Sequence, residues 1–330
     1  MKKVLVLFGG NSEEYKISCL SAKSILENIN KKKFKVASVG ISKKNEWFIF
    51  NDVLNYLEKG DWTKAKNIEK IENIIAFIKT FDVVFPITHG KNGEDGCLQG
   101  MFDLFNIKYV GCKTLSSAIG MDKVVSKILF NYLKIPQVPF ITINYPNFKI
   151  SNIEKKLNYP LIVKPANGGS SIGISKANNK KELVKAIKLA SSYDHKIVIE
   201  QFIKARELEC SVIENKKIYV STIGEIKPAH EFYDYASKYE NIGSKIIIPA
   251  DLPKDIINQI KEYAVKAFVE IGGKGMARID FLYDEENKQI YLNEINTIPG
   301  FTTISMYPQL LVFDGISYQD IITILIKNAS

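Results

Sequence analysis

The stretch "YLNEINTIPGFTTISMYP", residues 291–308, closes an apolar run with a carboxylate and an amide two residues apart, Glu294 and Asn296. It then breaks the chain at Pro299-Gly300 and continues with hydroxyls. Side chains two apart on a strand share a face, so these oxygens can converge on one cation. Upstream, "GMARIDFLYD" and "KQIYLNEIN" flank a polar "EENK" and read as a hairpin that brings Asp280 beside the other two. Oxygen donors without cysteine or histidine suit Mg²⁺ or Mn²⁺ and are poor for zinc. By itself the fragment reads equally as a strand end followed by a polar turn. Magnesium ordinarily completes its octahedron with water and substrate phosphate, so a phosphate-binding element is expected nearby.

"IVKPANGGSSIGISK", residues 162–176, supplies a candidate: a strand ends in Lys164, a loop of Gly168, Gly169, Ser170 and Ser171 follows, and a second strand is predicted from Ile172. Small side chains let backbone N–H groups approach phosphate oxygens, and the lysine adds a point charge. Taken alone, a Gly-Ser turn between strands is more often only a hairpin. No GxxxxGK[ST] occurs and a strand follows the loop, which excludes a Walker P-loop. Downstream, "IEQFIKARELE" sets Glu200 at a strand end and Glu207 seven residues on. In isolation both read as solvated charges; with the glycine loop they can grip the adenine and ribose edges of a nucleotide.

The elements that must position these groups are legible as alternating patterns. In the first third, "KVLVLF", "FKVASVGI" and "VVFPITHG" alternate with helical "SCLSAKSILENI" and "CLQGMFDLF", which predicts a parallel sheet covered by helices and ending near Gly111. Neither of its Gly-rich turns fits GxGxxG, so a dinucleotide-binding Rossmann site is not expected. A helix from Asp122, "MDKVVSKILFNYL", leads to a second unit with strands "LIVKPA", "IGISKA" and "KIVIEQFI" and a helical "KKELVKAIKLASSY". The strands "ELECSVIE" and "KIYVSTIGEI" precede "PAHEFYDYASKYENIGSK", a segment long enough inside a domain to read as a lid. Asp251 and Pro253 signal a helix whose apolar positions run from Ile256 to Ile271, and "YQDIITILIKN" predicts a last one.

A chain of 330 residues, 46% apolar and 25% charged, is a folded protein of two or three units. Its formal charge of +9 is spread over scattered lysines with no basic block, which argues against nucleic acid and suits an anionic small molecule. Cys19, Cys97, Cys112 and Cys210 form no CxxC pair and read as reduced core thiols. The short apolar start runs into Gly-Gly and two glutamates rather than a cleavage site, and no later run is long enough to span a bilayer, so a cytoplasmic protein is expected.

"FGGNSEEYKIS", "THGKNGEDGCLQG", "GMDKVVSK", "VKPANGGSSIG", "FYDYASKY", "ARIDF" and "NEINTIPGFTTISMYP" stand in an order, spread over essentially the whole chain, that resembles the ATP-grasp superfamily and within it the D-alanine–D-alanine ligases. The resemblance implies an α/β (α+β) ATP-grasp fold with an N-terminal domain over 1–121, a central one over 122–212 and a C-terminal one over 213–330 with a lid at 228–245. It implies a homodimer that joins two D-alanines with ATP and two Mg²⁺ or Mn²⁺ ions, through an acyl phosphate, for peptidoglycan precursors.

Carried over by position, Lys123 and Lys164 hold ATP phosphates under the loop of Gly169, Ser170 and Ser171, while Glu200, Glu207 and Phe202 serve the adenosine part. Asp280, Glu294 and Asn296 bind the metal ions, and Arg278 with the Gly300 N–H stabilises the acyl phosphate and the tetrahedral oxyanion. Glu14 faces the ammonium of the first D-alanine, linked through Ser170 to Tyr239. Lys238, Ser305 and the Met306 backbone receive the carboxylate of the second. His89 lines the same site or is a hydrogen-bonded structural residue; Asp95 and Gln99 cap or support a helix start.

The family commonly has Glu-His-Glu where this chain has Glu14-Tyr15-Lys16, which alters the charge around Glu14. The Lys238-Tyr239 ending of the lid and the neutral Met306 favour D-alanine over D-lactate as second substrate and, less decisively, over D-serine. Two alternatives are a D-Ala-D-Ser or other D-amino-acid ligase on the same scaffold and a non-catalytic ATP-binding regulator; the latter should have lost metal or oxyanion residues, all of which are present.

Overall fold

The computed structural model describes residues 1–227 and 245–330. The predicted lid, with Lys238 and Tyr239, lies outside the described residues except for Lys245.

In the first unit β1 (Lys2–Gly9) leads through α1 (Tyr15–Asn28) to β2 (Phe34–Ile41), and the two strands pair in parallel from Lys2↔Phe34 to Gly9↔Ile41. Val4 to Phe8 are all buried, because both faces of the sheet are covered. β3 (Trp47–Phe50), α2 (Asn55–Lys59), β4 (Ile68–Lys70), α3 (Ile74–Ile78) and β5 (Val83–Pro86) complete a sheet of order β4-β3-β2-β1-β5. β5 is parallel to β1 as predicted, but β3 and β4 run antiparallel. The link from Ile41 to Trp47 is too short for a crossover helix, so the chain folds back and the parallel sheet becomes a mixed one. α4 (Cys97–Leu104) and α5 (Thr114–Met121) follow, and α6 (Lys123–Tyr132) starts where predicted, with Asp122 accepting from the N–H groups of Val124 and Val125 at 3.0 and 3.1 Å.

The second unit contains β6 (Phe140–Asn144), α7 (Ile150–Glu154), β7 (Leu161–Pro165), β8 (Ser175–Ala177), α8 (Lys180–Ser191) and β9 (Lys196–Gln201), in a sheet of order β6-β9-β7-β8. The strand predicted from Ile172 begins only at Ser175. Ser170 and Ser171 both adopt left-handed φ, +50° and +60°, and this prolongs the loop.

The third unit adds β10 (Arg206–Asn215), β11 (Lys217–Lys227), β12 (Lys245–Ile247), α9 (Lys254–Glu270), β13 (Met276–Asp284), β14 (Gln289–Asn296), α10 (Met306–Phe313) and α11 (Tyr318–Asn328), with sheet order β12-β11-β10-β13-β14. β10 pairs with β13 from Arg206 through Ile213, so the sheets change between Gln201 and Arg206, and residue 212 falls inside a strand. α9 starts one residue after Pro253 without a side-chain cap from Asp251, and buries Ile256, Ile260, Ala264, Ala267 and Phe268 on the sheet. Ile321, Ile322, Leu325 and Ile326 of α11 share one core with Val4, Val6 and Phe8 of β1, and that packing brings the 297–301 loop against the first unit. Among the described residues no single helix is long and apolar enough to cross a membrane.

Candidate active site

A cleft of about 710 Å³ opens between the two antiparallel sheets and reaches the first unit at Glu14 and His89. Glu14 stands at the N-cap position of α1, yet its carboxylate makes no cap bond. It instead accepts the Ser170 hydroxyl at 2.6 Å, a contact between residues 156 apart in sequence. Ser12 fixes the turn beneath it, its hydroxyl donating to the His89 carbonyl at 2.6 Å and accepting the Glu14 N–H at 3.2 Å.

Two glycines enclose the carboxylate: a Cβ at Gly90 would lie 2.7 Å from Glu14 Oε2, and one at Gly169 only 2.4 Å from it. Gly169→Ala is therefore expected to displace Glu14 and raise KM for the first amino acid roughly ten- to hundredfold, the loss of one charged hydrogen bond, with a smaller change in KM for ATP; steady-state kinetics at saturating ATP reads it. The departure at Tyr15-Lys16 points away from this carboxylate: Tyr15 is buried in the first core and Lys16 is exposed.

His89 is buried, and both ring nitrogens are committed. Nδ1 donates to the Ile298 carbonyl at 2.9 Å; Ser21 Oγ, which accepts the Phe301 N–H at 3.1 Å, donates to Nε2 at 3.2 Å. Burial lowers the imidazole pKa and favours this neutral form. The ring thus anchors the backbone on both sides of Gly300. Asp95 accepts the Asn92 and Cys97 N–H groups at 2.7 and 3.1 Å, and Gln99 accepts the Gly96 N–H at 3.1 Å, which gives both the helix-start role.

Glu94, which the sequence reading passed over, accepts the Gly90 N–H at 3.0 Å. Burial, then repulsion from Glu14, pushes its pKa up to about 8. A carboxyl that holds its proton more tightly folded than unfolded loses stability as pH rises from the ordinary carboxyl range toward that value. Glu94→Gln should accordingly flatten the fall in Tm between about pH 5 and pH 8; calorimetry of both proteins across that window measures it.

β13 and β14 carry the charged end of the cleft. Leu208, Cys210, Ile279 and Phe281 face the core, so Glu207 and Glu209 on β10 and Arg278 and Asp280 on β13 face the cleft. The register shifts between Asp280 and Phe281, opposite Glu294 and Leu292, leaving Asn293 as the extra residue of a bulge. Because of it Leu292 and Ile295 both reach the core, while Glu294 and Asn296 turn to the cleft. Arg278 donates through Nε and Nη2 to Asp280 at 2.8 and 2.7 Å, and its Nε lies 3.0 Å from Glu209 Oε2. Burial alone would lower its pKa, but Asp280 and Glu209 outweigh burial and keep the guanidinium charged. Asn296 Nδ2 donates to Asp280 at 3.1 Å, and Glu294 stands opposite Asp280.

Two carboxylates and an amide suit a hard ion that keeps water and phosphate oxygens. Among the described residues no group of three His, Cys, Asp or Glu side chains is arranged to hold a metal ion without such help. At the loop beyond, Ser305 stands at the N-cap position of α10 without a side-chain cap bond, its Oγ instead accepting the Thr302 N–H at 3.0 Å, and Gly300 lies close enough that a Cβ would be 3.0 Å from Ser305 Oγ. Met306 is buried with Ile226 and Leu310 and lines the cleft at the start of α10.

At the opposite end Lys123 Nζ donates to the Gly168 carbonyl at 2.6 Å, tying α6 to the glycine loop. Glu200 is buried between two ammonium groups, Lys127 at 2.8 Å and Lys164 at 2.7 Å. Burial raises its pKa, yet the two lysines more than reverse this and hold it at about 2. This contribution to stability is complete above the ordinary carboxyl range and is lost only as pH falls toward that value. Phe202 and Glu207 line the same end, with Lys176 Nζ 4.0 Å from the centre of the Phe202 ring.

The sequence reading missed Lys127 and Glu209 as well as Glu94. Lys127 follows Lys123 by four residues on one helix face, and Glu209 follows Glu207 by two on one strand face; these spacings are the signals that could have found them. Glu94 leaves no such signal.

Two antiparallel sheets around a lysine-lined cleft, entered by a Gly-Ser loop with left-handed φ at both serines, define an ATP-grasp fold. The D-ala D-ala ligase N-terminus family matches residues 3–112 and the D-ala D-ala ligase C-terminus family residues 129–327. The chain is 45% identical to the D-alanine--D-alanine ligase of Acetivibrio thermocellus, over 99% of this chain and 96% of that one. It is 46% identical to that of Caldicellulosiruptor bescii, over 99% and 94%. Among solved structures it resembles the VanG D-Ala:D-Ser ligase from Enterococcus faecalis, with a TM-score of 0.89 and 37% identity over 99% and 98% of the two chains. The D-alanine-D-alanine ligase from Coxiella burnetii gives 0.86 and 30% over 100% and 95%. The chain belongs to the D-alanine–D-alanine ligase family.

Proposed function

We propose that this chain joins two D-alanines to D-alanyl-D-alanine at the expense of ATP, for peptidoglycan precursor synthesis. The observation that supports it most is the convergence in one cleft of the Glu14–Ser170 pair, Arg278 and the start of α10, with Lys123, Lys164 and Glu200 at the other end. In this reading Lys123 and Lys164 bind phosphates and Glu200, Phe202 and Glu207 the adenosine part. Glu14 pairs with the ammonium of the first D-alanine, so that this substrate's own carboxylate oxygen faces the γ-phosphate. That oxygen forms a bond to phosphorus as the bond to the ADP oxygen breaks. The amine of the second D-alanine, its carboxylate held by Ser305 and the Met306 N–H, then attacks the acyl carbon; the amine loses a proton as the acyl C–O bond breaks and phosphate leaves.

Both steps gather negative charge, and Arg278 with the Gly300 N–H is oriented to meet it before it forms. Asp280, Glu294 and Asn296 would hold Mg²⁺ or Mn²⁺, whose charge offsets that on the transferred phosphoryl oxygens. Lys238 and Tyr239 belong to the same proposal as lid residues, as do two metal ions, a homodimer and a cytoplasmic location; family resemblance supports these.

Phosphate release from ATP with D-alanine alone tests the reading, and release only with D-alanine and D-serine together would overturn it. The second outcome is the reading that likeness to the VanG D-Ala:D-Ser ligase favours.

A further inference from the structure

Lys127 is the most deeply buried cation of this region, its side chain 2% exposed, and it does not line the cleft. Its Nζ lies 2.8 Å from Glu200 Oε1 and 4.9 Å from the centre of the Phe140 ring, and Phe140 is paired with Glu200 across β6 and β9. The other carboxylate oxygen, Oε2, is 2.7 Å from Lys164 Nζ, which also donates to Asn293 Oδ1 at 3.3 Å. An ammonium has three N–H donors. With two of them engaged by Glu200 and Asn293, Lys164, which lines the cleft, is held in one orientation. Each oxygen of Glu200 faces a different lysine.

We propose that Lys127 is a positioning residue for the nucleotide: through Glu200 it fixes the direction of Lys164 without touching ATP itself. This rests on the reading of Lys164 and Glu200 as ATP-binding groups. A cation is needed at 127 because one lysine alone leaves a buried carboxylate half-compensated and free to swing onto Lys164. The swing would draw Lys164 away from the phosphates. The chain of contacts runs from Lys127 through Glu200 and Lys164 to Asn293 on β14, and these contacts do not include Ser305 or Met306 at the acyl-acceptor end.

Lys127→Met should raise the ADP dissociation constant and KM for ATP about tenfold, the loss expected when one charged contact goes out of position, with KM for D-alanine unchanged. Lys127→Arg, which keeps the charge, should recover most of that loss. In a Glu200→Gln background Lys127→Met should add nothing further, because the residue it acts through is already neutral; this pair also removes both charges together and keeps the comparison available should the single variant fail to fold. An unchanged ADP affinity in Lys127→Met, equal rises in both KM values, or a full additive loss in the Glu200→Gln background would each overturn the proposal. Absence of ADP binding by the parent protein would instead overturn the underlying reading of the cleft, so calorimetric titration with ADP separates the two failures.

Discussion

Arg278→Lys is expected to lower kcat by about two to three orders of magnitude, the usual cost of removing a pre-aimed donor from a developing oxyanion, while leaving KM for ATP within about threefold. The arginine is held by its own neighbours before any substrate arrives: two parallel N–H bonds to Asp280 at 2.8 and 2.7 Å and a third contact to Glu209 at 3.0 Å. A lysine keeps the positive charge that Glu209 and Asp280 require, so the fold should survive with a modest change in Tm. It cannot reproduce the planar fork, which fixes the direction of the remaining N–H groups toward the cleft. Arg278→Ala is the less informative change, since it leaves buried carboxylates unpaired and costs about 3–5 kcal/mol of stability. Rapid-quench measurement of acyl-phosphate turnover beside thermal melting separates chemistry from folding. A kcat within tenfold of the parent would remove Arg278 from the reaction.

Asn296→Ala carries the second large expectation, a fall in phosphate release of about a hundredfold or more against a stability change of about 1 kcal/mol. The asymmetry follows from the site. Asn296 is half-buried and its amide makes one hydrogen bond to Asp280, at 3.1 Å, so little packing is lost with it. Its oxygen is a neutral donor beside Asp280 and Glu294, and a neutral third ligand lets a divalent ion keep an excess of positive charge toward phosphate. Titrating Mn²⁺ in the presence of ADP by water-proton relaxation should show weaker binding as well as slower turnover. Unchanged affinity and turnover would remove the metal assignment for this strand end.

Much of this site was legible in the residues themselves. Alternating β and helical segments predicted the first unit, and a Gly-Ser loop after Lys164 with a carboxylate–amide pair before Pro299-Gly300 marked the two ends of the cleft. The helix start at Asp122 follows from local capping chemistry, a matter of neighbouring residues alone. The antiparallel turn-back at β3 and the short loop helices were not legible, because short apolar runs such as "WFIF" do not state which strand they pair with.

What the sequence by itself determined is the set of chemical groups and their local faces: Glu207 with Glu209, Arg278 with Asp280, Glu294 with Asn296, each pair two apart on a strand. Only the tertiary structure decided which way some of those faces point. Simple alternation counted from the core residue Leu292 would bury Glu294; the bulge at Asn293 resets the count and turns it outward. Long-range pairings such as Ser170 with Glu14, Lys127 with Glu200 and Glu209 with Arg278 likewise exist only once sheets from different parts of the chain are stacked. The physical reason is that periodicity encodes the relation of a residue to its own strand or helix, whereas charge pairing depends on distances set by packing between elements, which no local pattern contains.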